Sequence, residues 1–333
     1  MKIPQSVTAA PVTAGRTFSI DQRFFSAEEC SSLWRLLGCD YYWAQVSAGP
    51  LRGRLRVERQ GPIILASIQS NQALFVQGQR NPDWLPFTIE LTDNIAEHRH
   101  FGESVMPNTL GGFSTKLDES FLRTSPGGSH LGIVLIQRQR VHDLDSLDPA
   151  RCLLEQMERS NSVLLSQECH LELRRLMVPP AWQSGHADIS FSPHLLEAKL
   201  LECLAPISHS DFRPVLATHH SDLVKELVQF SFSRSTSPVT LEEVCRALFT
   251  TKTTLTVSCR EMFGFGPMFL MKCIRLQQVH HVLRNPDLQR KLACSTVKDV
   301  SKHFGFHSRN HFAQDYRRMF HATPRETLNS SAI

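Results

Sequence analysis

The chain has 333 residues with 36 Lys and Arg, 32 Asp and Glu, and 16 His, for a formal charge of +4. That length allows two domains that each bury a core, and 41% apolar with 20% charged residues is ordinary globular composition, which excludes disordered, collagen-like and disulfide-scaffold classes. The small net charge conceals an asymmetry: residues 238–333 hold 14 Lys and Arg against 7 Asp and Glu, whereas residues 1–237 hold 22 against 25. No apolar run approaches the length of a membrane span, so no membrane partner is expected.

Residues 1–17 lack the apolar stretch of a secretory signal and read as a flexible tail. Ser26 followed by Glu29 is a capping box that opens a short helix ending at Gly38. From Tyr41 to about Val141 the pattern is strand-like. Pro62–Ile68, Ala73–Gly78, Phe87–Leu91 and Leu131–Gln137 are short apolar runs punctuated by Gly, Pro and Asn. Leu51–Val57 alternates Leu and Arg, which predicts a strand with one solvated basic face. This spacing points to a β barrel or jelly roll over residues 18–145. Gly111-Gly112 and Gly127-Gly128 read as β-turns, and Asp143, Asp145 and Asp148 as a solvated turn.

Helical patterns over Ala150–Arg159, Ser166–Met177, a stretch capped by Ser192-Pro193, and Ser221–Phe232 define a helical region at 146–232. Ser233–Pro238 is polar, and residues 233–237 read as a linker. The nine cysteines include no CxxC pair and read as reduced thiols of a cytoplasmic protein.

One feature of the amino-terminal part invites a chemical reading. Glu97-His98-Arg99-His100, with Glu103 and a later His130, is similar to the His-x-His and Glu of metal-binding cupins. The spacing is shorter than that pattern, so the expectation is a solvated loop and no metal. No GxSxG, GxxxxGK[ST] or GxGxxG is present. No catalytic residue and no cofactor are expected.

The carboxy-terminal third carries the strongest signal. Val244 and Leu248 make one apolar face; Leu255, Cys259 and Phe263 make a second, behind a candidate N-cap at Thr251. Lys252, Thr253, Thr256 and Arg260 face outward. Gly266-Pro267 opens a long helix with apolar Phe269, Ile274, Leu276, Val279 and Leu283, broken at Asn285-Pro286-Asp287. A second unit follows. Val297, Val300 and Phe304 form a first helix face, Gly305 the turn, and Ser308 the N-cap of a helix reaching Phe320. Phe312, Tyr316, Met319 and Phe320 form its buried stripe. Arg309, Asn310, Gln314, Arg317 and Arg318 form its outer face, with His307 and Ser308 at its start. Arg, Asn and Gln are the side chains that pair with guanine and adenine edges in a major groove. The recognition helices begin 57 residues apart, at Thr251 and Ser308. Phe263-Gly264-Phe265-Gly266-Pro267 is echoed by Phe320-His321-Ala322-Thr323-Pro324. His280, His281, His303, His307, His311 and His321 are expected to add positive charge at lower pH.

Two helix-turn-helix units tied by one helix, with the Gly-Phe turn, the following Ser, the YRRMF run and the closing Thr-Pro, resemble the AraC/XylS family of bacterial transcription regulators over Val239–Leu328. The resemblance implies an α+β chain: a cupin-like or jelly-roll amino-terminal domain and an all-α DNA-binding domain at 238–328. It also implies double-stranded DNA and RNA polymerase as partners, a small-molecule effector or homodimer formed through the amino-terminal domain, activation of transcription, and a place at the bacterial nucleoid. Ala48–Gly53 and the following strands are loosely similar to the ethanolamine-utilisation branch. Arg309, Asn310 and Gln314 are the expected base readers; Arg317, Arg318 and Lys252 the phosphate holders, on recognition helices entering successive major grooves.

The first unit departs from the pattern. Phe249 stands where glycine usually turns the chain, and Val257 where a polar side chain is common, so this unit is expected to read fewer bases. Two other classes remain open at this point. One is a cupin-like metal enzyme fused to a DNA-binding tail, tested by metal content and by His98→Ala and His100→Ala. The other is a non-specific architectural protein, which would bind any duplex alike.

Overall fold

The computed structural model describes residues 18–149, 152–179, 182, 191–205, 211–214, 219–233 and 239–330. The tail at 1–17 and the linker residues 234–237 lie outside these. Among the described residues, thirteen strands form two sheets, with every pair antiparallel. The first sheet orders β1 (Phe18–Phe24), β3 (Gly53–Gln60), β4 (Ile63–Ser70), β11 (Ser129–Gln137), β6 (Trp84–Glu90), β9 (Thr109–Gly111), β12 (Ser162–Leu164) and β13 (Asp211–Arg213). The second orders β2 (Asp40–Gln45), β5 (Leu74–Gln79), β10 (Glu119–Arg123), β7 (Arg99–His100) and β8 (Glu103–Ser104). Two strands of the larger sheet thus come from residues 146–232, which sequence periodicity assigns to helices alone. At three residues each, β12 and β13 are too short to show alternation.

The period of two along each strand explains the layering. In β4, Ile64, Ala66 and Ile68 point between the sheets, while Ile63 and Leu65 point the other way. β11 does the same, with Leu131, Ile133 and Leu135 between the sheets and Val134 and Ile136 outside. Such strands are buried on both faces, which is why they read as continuous apolar runs. The outer side of the first sheet is covered by α2 (Arg138–Leu147), α3 (Leu153–Arg159), α4 (Gln167–Met177) and α5 (Pro193–Cys203), through Val141, Met157, Leu173, Met177 and Leu200. Asp143 and Asp145 lie on α2 rather than in a turn.

Between the sheets, Trp34 of α1 (Ala27–Arg35) stacks near Trp43 of β2, ring centroids 6.1 Å apart. Ser26 accepts from the Glu29 N–H (3.1 Å), and the Glu29 carboxylate accepts from the Phe25 N–H (2.6 Å). The helix stops at Arg35, with Gly38 in the turn beyond it at φ 74°. The basic face of β3 is partly solvated and partly paired with the neighbouring strand. Arg54 and Arg56 pair with Asp21 on β1; on the opposite face, with Leu55 and Val57, Arg59 is 1% exposed with its guanidinium 5.1 Å from the Trp84 ring centre.

The second sheet also buries its other face. Ala44, Val46, Phe75, Phe101 and Phe121 pack against α6 (His219–Ser233), α7 (Leu241–Ala247), α8 (Lys252–Phe263) and α9 (Pro267–Arg284). Phe75 meets Phe121 and Phe263 edge-on at 5.0 and 4.9 Å. The layers therefore run helices, sheet, sheet, helices, and the last helical layer includes the first helix-turn-helix unit. The chain closes with α10 (Pro286–Lys291), α11 (Val297–His303), α12 (Arg309–Phe320) and α13 (Pro324–Ser330), which share a separate core with the distal half of α9.

Candidate nucleic-acid interface

The two units are built by the same local devices. Each first helix starts with a reciprocal capping box: Thr240 with Glu243 on α7, and Thr296 with Asp299 on α11. These Thr-x-x-acid patterns were legible in the sequence as helix starts and escaped the apolar-face reading. Each recognition helix has an N-cap hydroxyl: Thr251 accepts from the Thr254 N–H (3.1 Å) and Ser308 from the His311 N–H (3.4 Å). Each ends in a left-handed residue, Gly264 at φ 76° and His321 at φ 53°, and each following helix starts on a proline, Pro267 or Pro324.

The turns differ in chemistry and agree in shape. Gly305 takes φ 73°, and Phe249 takes φ 48° at the matching place in the first unit. A bulky side chain in this region is strained, and Phe249 is 99% exposed, so no packing offsets that cost. The turn conformation is nevertheless retained.

On α12, Phe312, Tyr316, Met319 and Phe320 are buried, and Arg309, Asn310, Gln314, Arg317 and Arg318 are all exposed, as are His307 and Ser308 before it. Asp315, the one acid on this helix, is paired with Lys272 of α9 (2.9 Å). Glu326 is engaged at the start of α13, accepting from the Thr323 N–H (2.7 Å). The acids nearest the arginines are thus already occupied, a neutralisation that residue spacing alone does not reveal. On α8, Lys252, Thr253 and Arg260 are exposed and Thr256 is half-buried. Lys252 is paired with Glu242 (2.5 Å), so a phosphate has to displace a carboxylate there. Val257 is 41% exposed on the same helix.

The helix α9 holds the units together. Ile274 joins the first core; Leu276, Val279 and Leu283 join the second. Phe269 does not pack inward as its spacing predicts: it stays 42% exposed, edge-on to Phe265 at 4.7 Å. The His280 ring stacks on Phe320 (4.3 Å), with Nδ1 2.7 Å from the Tyr316 hydroxyl, which donates in turn to Thr327 Oγ1 (3.0 Å). Burial holds His280 at about 3 and His281 at about 4. These two histidines therefore stay neutral, contrary to the expectation that all six in this region gain charge on mild acidification.

The amino-terminal part grips this assembly. The Gln45 N–H donates to Gln277 Oε1 (2.8 Å), and Gln277 Nε2 donates to the Gln45 carbonyl (3.0 Å). The Gly49 N–H donates to the Met319 carbonyl (2.8 Å), supplying a partner to the carboxy-terminal end of the second recognition helix. Arg284 pairs with Glu29 at 3.1 Å.

The histidines considered for metal are engaged separately. His98 is 1% exposed; its Nδ1 lies 2.8 Å from Ser125 Oγ and its Nε2 3.0 Å from Glu90 Oε2. It is therefore a core residue rather than part of a solvated loop. Burial alone would raise the Glu90 carboxyl, but hydrogen bonds from His98, Ser129, the His130 N–H and Thr92 prevail and hold it at about 2. His100 faces Asn161, and burial together with Arg80 lowers it to about 3. Among the described residues, no three His, Cys, Asp or Glu side chains are grouped to hold a metal ion, and no helix is long and apolar enough to cross a membrane.

Residues 244–330 match the family model described as a helix-turn-helix domain. The chain carries a helix-turn-helix domain. The matched span runs from the first buried residue of α7 to the end of α13, so it takes in both units and α9. The chain is also similar to several solved structures. A probable AraC family transcriptional regulator from Rhodopseudomonas palustris CGA009 is 26% identical, over 33% of this chain and 97% of that one, with a TM-score of 0.29. The C-terminal domain of AraT, a response regulator from Geobacillus stearothermophilus, is 16% identical over 34% and 88%, also with a TM-score of 0.29. ToxT from Vibrio cholerae O395 is 11% identical over 94% and 97%, with a TM-score of 0.31.

Proposed function

We propose that the protein recognises a specific DNA duplex through α12, with α8 as the weaker reader, and that its amino-terminal domain makes this recognition responsive to a small molecule. The observation that carries the reading is the outer face of α12. Five side chains suited to bases and phosphates stand exposed together there, and the helix's one acid is paired elsewhere. Arg309, Asn310 and Gln314 are assigned to base edges, and Arg317, Arg318 and Lys252 to phosphates. His307, Ser308, Thr253, Thr256 and Arg260 flank them.

The effector role is supported by the contacts between the second sheet and the first unit. A cleft of about 330 Å³ lies where Phe101, Gly102 and Glu103 meet His220 of α6 and Ser258, Glu261 and Met262 of α8. A ligand changes DNA affinity only by the difference in its own affinity for two arrangements of the chain, and a site lined by both parts is where such a difference would arise. Activation through RNA polymerase, a homodimer, and action in the cytoplasm at the nucleoid complete the proposal.

Selection of random duplexes by the full-length protein, followed by sequencing, tests it. A defined motif recovered at physiological salt supports sequence-specific regulation. Equal recovery of all sequences refutes it in favour of an architectural role. For the effector, a compound that raises the melting temperature and also shifts operator affinity is the expected signal, and a metabolite panel that includes ethanolamine with cobalamin is the starting set.

A further inference from the structure

Two cysteines far apart in sequence meet on the side of the molecule away from the recognition helices. Cys169 lies in the first turn of α4, where its N–H donates to the N-cap Ser166 Oγ (3.2 Å). Cys203 is the last residue of α5. Their sulfurs are 3.1 Å apart. A disulfide has its sulfurs about 2.05 Å apart, so the pair is roughly one ångström of side-chain adjustment from bonding. Cys203 is 1% exposed and Cys169 is half-buried, so an oxidant in solvent meets Cys169 first. Among the described residues, no other two sulfurs are in hydrogen-bonding contact.

The surroundings keep Cys203 protonated at rest and leave Cys169 the more accessible sulfur. Lys199 lies on α5 between the two helices, its ammonium held by Glu172 and Glu202 and its side chain 9% exposed. Burial and the neighbouring Cys169 push the Cys203 thiol up, and the Lys199 charge opposes them. The two carboxylates that hold Lys199 offset much of its charge, so the closeness of the two sulfurs, rather than a cation, is what favours their reaction.

We propose that Cys169 and Cys203 form a peroxide-reactive pair that oxidises to a disulfide joining α4 to α5. The Cys169 sulfur, as thiolate, attacks one oxygen of hydrogen peroxide. The S–O bond forms, the O–O bond breaks, and the departing hydroxide takes up the proton released from the thiol as water. Cys169 is now a sulfenic acid and the peroxide is reduced. The Cys203 sulfur then attacks the Cys169 sulfur. The S–S bond forms, the S–O bond breaks, and hydroxide leaves with the Cys203 proton as a second water. Two thiols and one peroxide give one disulfide and two waters.

The experiment treats the full-length protein with a small molar excess of hydrogen peroxide, blocks free thiols with an alkylating agent after denaturation, and maps the peptides by mass spectrometry. The expected result is a linked pair of peptides bearing Cys169 and Cys203, a chain mass lower by about 2 Da, and recovery of both thiols with dithiothreitol. Exposed Cys152 serves as the internal comparison, since no other cysteine sulfur contacts it. In Cys203→Ser, Cys169 should accumulate as a sulfenic acid trapped by dimedone. In Cys169→Ser, Cys203 should stay reduced. The proposal is overturned if Cys169 and Cys203 remain free while Cys152 is oxidised, or if Cys169 links to a different cysteine. Mapping of the unsubstituted chain decides this even if a serine variant fails to fold.

Discussion

The side-chain amide of Gln277 on α9 hydrogen-bonds in both directions with the backbone of Gln45 on β2, donating to its carbonyl and accepting from its N–H. β2 is an edge strand of the second sheet, and such an edge presents unpaired donors and acceptors. Gln277 fills that place as a neighbouring strand would, and it is 4% exposed. The helix that joins the two DNA-binding units is thereby registered against the amino-terminal domain.

Gln277→Ala is expected to leave two buried backbone groups unpaired and to cost about 1–3 kcal/mol in chemical denaturation. Gln277→Glu should cost at least as much, because a carboxylate can accept from the Gln45 N–H but cannot donate to its carbonyl. If both variants unfold at the wild-type denaturant midpoint, the contact contributes nothing to the docking of the domains.

Stability should fall on acidification in two overlapping stages. His100, His280 and His281 have folded values of about 3, 3 and 4, below the usual 6.5. The unfolded chain therefore binds protons that the folded chain refuses. Stability is full above about pH 6.5 and declines below it, by about 1.4 kcal/mol per pH unit for each such histidine. Glu90 is held at about 2 against an ordinary 4.5, so its contribution is full above about 4.5 and disappears as pH falls toward 2. His280→Gln, which keeps a hydrogen-bonding partner for Tyr316, should flatten the upper stage. Urea midpoints between pH 7 and 4 measure this, and unchanged steepness in the variant would contradict it.

Phe249→Gly should leave stability unchanged or raise it by up to about 1 kcal/mol, since the turn needs φ 48° and the 99% exposed ring packs against nothing. Phe249→Val should lower the melting temperature, because a β-branched residue fits this conformation worse. Thermal unfolding of the two variants distinguishes a strained turn from a stabilising ring.

For the recognition helices, Arg309→Ala, Asn310→Ala and Gln314→Ala should each cost about 1–3 kcal/mol on the best site and relax its preference. Arg317→Ala and Arg318→Ala should instead reduce the salt slope by about one unit each, with the preferred sequence kept. Thr253→Ala and Thr256→Ala should cost less. A base-substitution series in which the first-unit changes prove the more damaging would reverse the ranking of the units.

The sequence by itself determined the parts whose causes lie within a few residues. A helix face repeats every three or four positions, a cap acts three residues ahead, and a strand alternates every second residue. The two units, the basic outer face of α12, the N-caps Thr251 and Ser308, and the long strands of the first sheet were therefore legible. Only the tertiary structure decided what lies against what. Gln45 and Gln277 are 232 residues apart, and neither belongs to an apolar period that would pair them. The burial of His280 and His281, the pairing of Asp315 with Lys272, and the contact of Cys169 with Cys203 depend on which helices meet. The left-handed turn at Phe249 is the sharpest case. Its own side chain argues against that conformation, and the packing of α7 and α8 on the second sheet sets it all the same.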